Sequence, residues 1–225
     1  MSDLDKLLGL MFQAHPWHGV SPGASAPAKL QAFIEIVPTD TIKYELDKSS
    51  GHLKVDRPQR YSSLCPTLYG LIPQSYCGDR IAALAGKSLN REGLRGDGDP
   101  LDICVISERG IPQGNILLSC IPIGGMLMID RDEVDDKIIA VLEDDVAFGG
   151  IRDLTDCPEG MIDRLRHYFL SYKQLPGDSK RMVDIPEVYG KNRAHEVILT
   201  SFEDYRALYG DPEERTKQLR SLLTR

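Results

Sequence analysis

The chain has 225 residues, enough for one large domain with a sizeable core, and at 41% hydrophobic and 27% charged residues it has the composition of a globular protein. Its 27 Lys and Arg against 34 Asp and Glu give a net charge of −7, which argues against a general nucleic-acid binder, because such a protein needs a basic face to neutralise phosphates. No stretch approaches a membrane span, and the five cysteines (Cys65, Cys77, Cys104, Cys120, Cys157) form no Cys-x-x-Cys pair that would suggest a zinc site or a disulfide framework.

Residues 3–14 are predicted to form a short amphipathic helix, ended by Pro16 and the Gly- and Pro-bearing run that follows. Its apolar run is too short and wrongly flanked, by Asp3 and Asp5, for a signal peptide, so the expected location is the cytoplasm. His15, Trp17 and His18 read as an anchoring arm packed on the domain in preference to a metal site. Strands are predicted at 33–37 and 42–47; in the second, Ile42, Tyr44 and Leu46 share one face and Lys43, Glu45 and Asp47 the other. Residues 48–51 make a turn and 52–57 the returning strand, where Arg57 has the parity of Leu53 and Val55. That parity places Arg57 either at the end of an inward face or in an edge salt bridge.

Residues 58–73, with three prolines, are predicted irregular or a short edge strand, and 74–95 a polar-flanked excursion. Gly86-Lys87-Ser88 has the ending of a phosphate-binding loop, but Ile81 stands where the upstream glycine is required and no strand precedes it. Further strands are predicted at 101–107, 116–123, 126–129 and 137–142, and helices from Pro158 to about residue 173, at 193–209 and at 212–223. Strands first and helices last suggest an α+β, mainly β fold: a compact antiparallel barrel with helices packed on its outside. The expected organisation is one domain over 1–225, with an arm at 1–30, a barrel core at 31–145 and a helical part at 155–225.

Two acidic clusters interrupt this pattern. In Gly96-Asp97-Gly98-Asp99-Pro100-Leu101-Asp102 three carboxylates fall within six residues. Unit charges about 4 Å apart repel by roughly 4 kcal/mol at an effective dielectric near 20, so the arrangement calls for an offsetting partner, usually a divalent cation. The bland alternative is a polar turn opening a strand. An EF-hand loop fits poorly, since Leu101 and Asp102 occupy a ligand position and the obligatory glycine. The second cluster, Asp130 with Asp135 and Asp136, would alone be a solvated hairpin tip. Both lie at strand ends. If they converge on one barrel rim, several hard cations are needed, Mg²⁺ by default, and such sites serve mainly phosphoryl chemistry. Lys43, Arg57, Lys137 and Lys173, near strand or helix ends, could hold the phosphates. Asp102 is out of phase with Asp97 and Asp99, so a turn at Pro100 must redirect the backbone.

From about Glu35 to Lys173 the chain resembles the family I soluble inorganic pyrophosphatases. The resemblance is carried by Asp-Gly-Asp-Pro-Leu-Asp at 97–102, Ile-Lys-Tyr-Glu-Leu-Asp at 42–47, Val-Asp-Arg at 55–57, Tyr69-Gly70, Asp130, Asp135-Asp136-Lys137 and Tyr172-Lys173. It implies a five-stranded OB-like barrel and Mg²⁺-dependent hydrolysis of pyrophosphate to two orthophosphates by a metal-activated hydroxide. Mn²⁺ or Zn²⁺ are possible substitutes. It further implies that Asp97, Asp102 and Asp135 hold the tightest metal, and that Asp130, Asp135 and Glu45 bind metals arriving with substrate. Asp99 would be the base, Lys43, Arg57, Tyr69, Lys137, Tyr172 and Lys173 would grip phosphoryl oxygens, and Glu35 would line the site. Family members are hexamers or dimers, so a homo-oligomer is expected. Cys65 stands where the family usually has tyrosine, and Leu68 where a polar residue is usual. A related phosphohydrolase of organic phosphates would need a base or sugar pocket that no aromatic cluster in these motifs offers. An OB barrel for single strands would need aromatics interleaved with cations on a basic face.

Overall fold

In the computed structural model, which describes residues 12–175, 177–178 and 182–223, the chain begins with β1 (Leu30–Ile36), β2 (Ile42–Leu46), β3 (Leu53–Pro58) and β4 (Leu68–Leu71). It continues through α1 (Asp79–Leu89), β5 (Arg95–Gly96), β6 (Asp102–Ile106), β7 (Ile116–Asp130), β8 (Glu133–Val134) and β9 (Lys137–Leu142). After a 3-10 turn (Leu154–Asp156) come α2 (Glu159–Ser171), β10 (Val183–Gly190), α3 (Lys191–Tyr209) and α4 (Pro212–Leu223).

Five strands close a ring: β1 pairs β4, β4 pairs β6, β6 pairs β9, β9 pairs β7, and β7 returns to β1. Every pairing in it is antiparallel except β6–β9. These two are near-continuous β-branched runs, Asp102-Ile-Cys-Val-Ile and Lys137-Ile-Ile-Ala-Val-Leu, as suits a parallel pair buried on both faces. One core packs the even residues of β9, Ile138 and Ala140, with Ile81 and Ala85 of α1 and Val197, Ile198 and Phe202 of α3. A second packs Ile139 and Val141 with Leu165 and Phe169 of α2. The hairpin β2–β3 is a separate two-stranded sheet.

Several elements differ from expectation. β4 is an interior strand between β1 and β6, not an edge. Gly70 allows it: a Cβ there would lie 1.9 Å from the Phe33 carbonyl oxygen, so only glycine lets the two backbones approach this closely. The excursion at 74–95 contains α1, whose N–H groups at Arg80 and Ile81, with that of Gly78 just before it, donate to the buried Asp204 carboxylate of α3 at 3.0–3.2 Å. Strands 116–123 and 126–129 are one strand, β7, running through Gly124-Gly125. The C-terminal part is not purely helical, because β10 pairs β7. Val55 is 62% exposed although it pairs with Tyr44, and a bulge at Asp56 puts Arg57 opposite Lys43, out of phase with Leu53 and Val55. Of the helix expected at 3–14, residues 3–11 lie outside the described residues, and 12–15 carry no regular structure. Trp17 does anchor the arm: its indole N–H donates to the Ser75 carbonyl at 2.7 Å within a small core with Phe33, Leu46, Leu71 and Tyr205. Among the described residues no helix is long and apolar enough to cross a membrane.

Candidate active site

The hairpin, the starts of β6 and β9 and the end of α2 enclose a cleft of about 230 Å³. The hairpin contributes Lys43, Glu45 and Arg57; β1 and β4 contribute Glu35 and Tyr69; the glycine-aspartate turn and β6 contribute Asp97, Asp99 and Asp102. Asp135 and Lys137 enter at the start of β9, and Tyr172 and Lys173 from the end of α2. Each acidic cluster therefore reaches the cleft, the first through Asp97, Asp99 and Asp102 and the second through Asp135. Asp130, at the end of β7, lies outside the cleft lining and is tied to it through Lys173, whose Nζ stands 2.7 Å from Asp130 Oδ2.

The backbone of the acidic turn explains how residues of opposite parity converge. Gly98 takes a left-handed φ of +76°, the Asp99 N–H donates to Asp97 Oδ1 at 3.0 Å, and the Asp99 carbonyl accepts from the Cys77 N–H at 2.8 Å. Pro100 then leads into Leu101, fully buried, whose N–H donates to Ser75 Oγ at 2.8 Å. The reversal before β6 brings Asp102 to the same side as Asp97 and Asp99.

Charge balance in the cleft rests on a buried lysine. Lys137 is 1% exposed, and its Nζ donates to both Asp102 and Asp135. Burial disfavours its charge, but Asp102 and Asp135 outweigh that and hold it protonated well above the usual lysine range. The Tyr69 hydroxyl donates to Asp102, and burial with the Asp102 charge keeps that phenol protonated. Burial, then Asp135 and Asp102, push Asp97 far above the usual carboxylate range. Glu35 is pushed up to about 8 by burial and by Asp102, while its Oε1 accepts the Leu46 N–H at 2.6 Å and so clamps the hairpin to β1.

Sequence reasoning missed two participants. Asp56 accepts from Lys43 at 2.9 Å and from Arg57 at 2.6 Å, holding both hairpin cations. Lys48, read only as a turn residue, donates to Asp99. Asp56 had a signal, its place beside Arg57; Lys48 had none beyond its charge. Cys65 and Leu68 lie in the two cores and not in the cleft wall, and burial pushes the Cys65 thiol up to about 11.

Comparison with known proteins places the chain in a family. The family model described as inorganic pyrophosphatase matches residues 32–206. The chain belongs to the inorganic pyrophosphatase family. It is 50% identical over 200 residues to an inorganic pyrophosphatase of Chlamydia trachomatis, an alignment covering 87% of this chain and 96% of that one. It is 36% identical over 174 residues to a soluble inorganic pyrophosphatase of Oryza sativa, covering 76% and 72%. The crystal structure of the Thermus thermophilus inorganic pyrophosphatase superposes with a TM-score of 0.71 at 27% identity, covering 85% of this chain and 99% of that one. Family membership makes the protein a hydrolase of inorganic pyrophosphate and makes its fold the family's OB-like one.

Proposed function

We propose that the protein hydrolyses inorganic pyrophosphate to two orthophosphates with Mg²⁺ as cofactor, Mn²⁺ or Zn²⁺ as substitutes, and Asp99 as general base. The observation that carries this reading is the meeting, in one small cleft, of Asp97, Asp99, Asp102 and Asp135 with Lys43, Arg57, Lys137 and Lys173. With roughly 30 Å³ for each water in the liquid, the cleft has room for a small hydrated anion and lies below the roughly 300 Å³ at which pockets for drug-sized ligands begin. That favours pyrophosphate over a nucleoside phosphate.

The residues fit a hard divalent cation. Among the described residues no three His, Cys, Asp or Glu side chains stand close enough to hold an ion as they are, and lysines lie on several of the acids: Lys137 on Asp102 and Asp135, Lys48 on Asp99, Lys173 on Asp130. The donor set is nonetheless all oxygen, the ligand chemistry of a hard divalent cation. Asp97, Asp102 and Asp135 would hold the tightest ion, and Asp130, Asp135 and Glu45 those that accompany substrate. Bound there, divalent ions supply positive charge to the phosphoryl oxygens and acidify water.

The chain's own groups do the rest. Lys43 and Arg57, held by Asp56, together with Lys137 and Lys173 neutralise the substrate's negative oxygens, without which attack by an anion is slow. Tyr69 and Tyr172, kept protonated by burial, donate their hydroxyls. Asp99, with its side chain 41% exposed, faces incoming water and accepts a proton from it at a carboxylate oxygen. Glu35 lines the floor and holds the hairpin in register. This reading includes a cytoplasmic homo-oligomer, hexamer or dimer, without nucleic acid or membrane partners; light scattering after size exclusion tests the assembly. The decisive experiment is orthophosphate release from pyrophosphate with Mg²⁺, with EDTA and in an Asp99→Asn variant. Fast, Mg²⁺-requiring release that collapses in the variant is expected. Release that survives the substitution would move the base elsewhere, and no release by folded protein with any metal would end the catalytic reading.

A further inference from the structure

Asp135, Asp136 and Lys137 are three consecutive ionisable residues, and an extended backbone sends the first and third to one face and the second to the other. Asp135 and Lys137 reach the cleft. Asp136 is buried on the opposite face, the side of Val134 and Ile138, within the core beneath α1 and α3. A carboxylate in that position requires a partner, and the Tyr189 hydroxyl of β10 donates to its Oδ1 at 2.6 Å.

Tyr189 reaches Asp136 across an intervening strand. In register it pairs with Gly125 of β7, and its ring covers that glycine: a Cβ on Gly125 would meet the ring at 2.5 Å, and one on Gly124 would meet the Tyr189 carbonyl oxygen at 2.5 Å. The two glycines, in the interior of a strand where they would ordinarily weaken it, open the path for the ring. The contact falls where the sheet gives least support. The β7–β8 ladder ends at Val134 and the β7–β9 ladder begins at Lys137, so residues 135 and 136 lie between ladders, with the Asp135 N–H to the Met128 carbonyl at 2.9 Å as their backbone tie. A slip of one residue there would exchange the faces of Asp135, Asp136 and Lys137.

We propose that Tyr189 is a positioning residue, whose hydrogen bond to Asp136 from the far side of the sheet fixes the phase that aims Asp135 and Lys137 into the cleft. The inference rests on the pyrophosphatase reading for what those two residues do.

The test is Tyr189→Phe, alone and combined with Asp136→Leu. The single variant is expected to lose about tenfold or more in kcat with little change in KM for pyrophosphate, and to bind Mg²⁺ about tenfold or more weakly in calorimetric titration of the protein alone. Replacing both partners by apolar groups of similar shape is close to neutral for stability. The double variant should therefore recover the wild-type Tm while kcat and Mg²⁺ affinity stay low. Recovery of all three, or a single variant with lowered Tm but wild-type kcat and Mg²⁺ affinity, would make the bond merely structural and overturn the proposal. If the single variant does not fold, the double variant decides. A wild-type protein that is inactive on pyrophosphate would end the parent reading, while the Mg²⁺ titrations would still decide this one.

Discussion

Lys173 Nζ stands 2.7 Å from Asp130 Oδ2, joining the end of α2 to the end of β7 at the margin of the cleft. The pair is partly buried on both sides, so neither charge is a free surface group. Lys173→Ala should raise KM for pyrophosphate by about 10- to 100-fold, the worth of one charge-assisted hydrogen bond of roughly 1.5–3 kcal/mol. Asp130→Asn should raise the Mg²⁺ concentration needed for half-maximal turnover. Initial rates over a grid of pyrophosphate and Mg²⁺ separate the two effects. An unchanged Mg²⁺ requirement would reduce Asp130 to an anchor for Lys173.

Gly70 supplies a prediction about the ring alone. A methyl group there would lie 1.9 Å from the Phe33 carbonyl oxygen and 2.8 Å from the Ile34 Cα, both backbone atoms of the paired strand. Neither can move without opening the β1–β4 ladder. Gly70→Ala should destabilise by about 3 kcal/mol, the upper part of the overpacking range. At roughly 2–4 °C per kcal/mol for a chain of this size, Tm falls by about 6–12 °C. A Tm within a degree of wild type would mean that the two strands separate without cost.

The residues that line the cleft carried local marks in the sequence. Asp97, Asp99 and Asp102 lie so close in sequence that their repulsion called for an offsetting partner, with a polar turn as the alternative, and Lys137 follows Asp135 and Asp136 directly. Convergence of the two clusters depends on the parallel β6–β9 pairing, which places Asp102 against Lys137 and leaves no mark on either segment alone. Gly124-Gly125 fell between two predicted strands because what it does, giving clearance to Tyr189, depends on a residue 64 positions after Gly125. β10 did carry a period-two signal in Val183, Ile185 and Tyr189, hidden by Pro186 and by the bulge between Asp184 and Glu187. Arg57 misled in the opposite sense, since a bulge at Asp56 broke its parity with Leu53 and Val55 and set it opposite Lys43.

The arm adds a pH dependence separate from catalysis. His18 stacks on Trp17, its Nδ1 lies 2.8 Å from the Tyr205 hydroxyl, and His15, Arg215 and Tyr209 surround it. Burial, then repulsion from His15 and Arg215, lower it to about 4. Above the ordinary value of 6.5 the ring is neutral folded or unfolded, so its contribution is fully present there. Between 6.5 and about 4 only the unfolded chain takes up the proton, so stability is lost as pH falls through that window. The ring is partly exposed, and solvent screening limits the loss to the order of 1 kcal/mol. Urea unfolding at pH 7.5 and pH 4.5 should give a smaller pH difference for His18→Gln than for wild type. Equal differences would mean that His18 is charged in the folded protein.

Lys137 sets the relation between the cation demand and stability. Its side chain is 2% exposed and donates to both Asp102 and Asp135. Lys137→Met leaves two buried carboxylates without that charge, and breaking a buried pair in this way costs about 3–5 kcal/mol, or a Tm lower by about 6–20 °C. On the proposed reading, the same substitution removes an ammonium that would compete with Mg²⁺ for Asp102 and Asp135. A ligand that binds only the folded state at 100 times its Kd adds about 2.7 kcal/mol, so Mg²⁺ should raise the Tm of Lys137→Met by more than it raises that of wild type. Turnover should stay low even with Mg²⁺, because on the same reading the lysine also contacts the phosphoryl oxygens. Thermal unfolding with and without Mg²⁺ reads this directly. An equal Mg²⁺ upshift in the two proteins would place the ion away from Asp102 and Asp135.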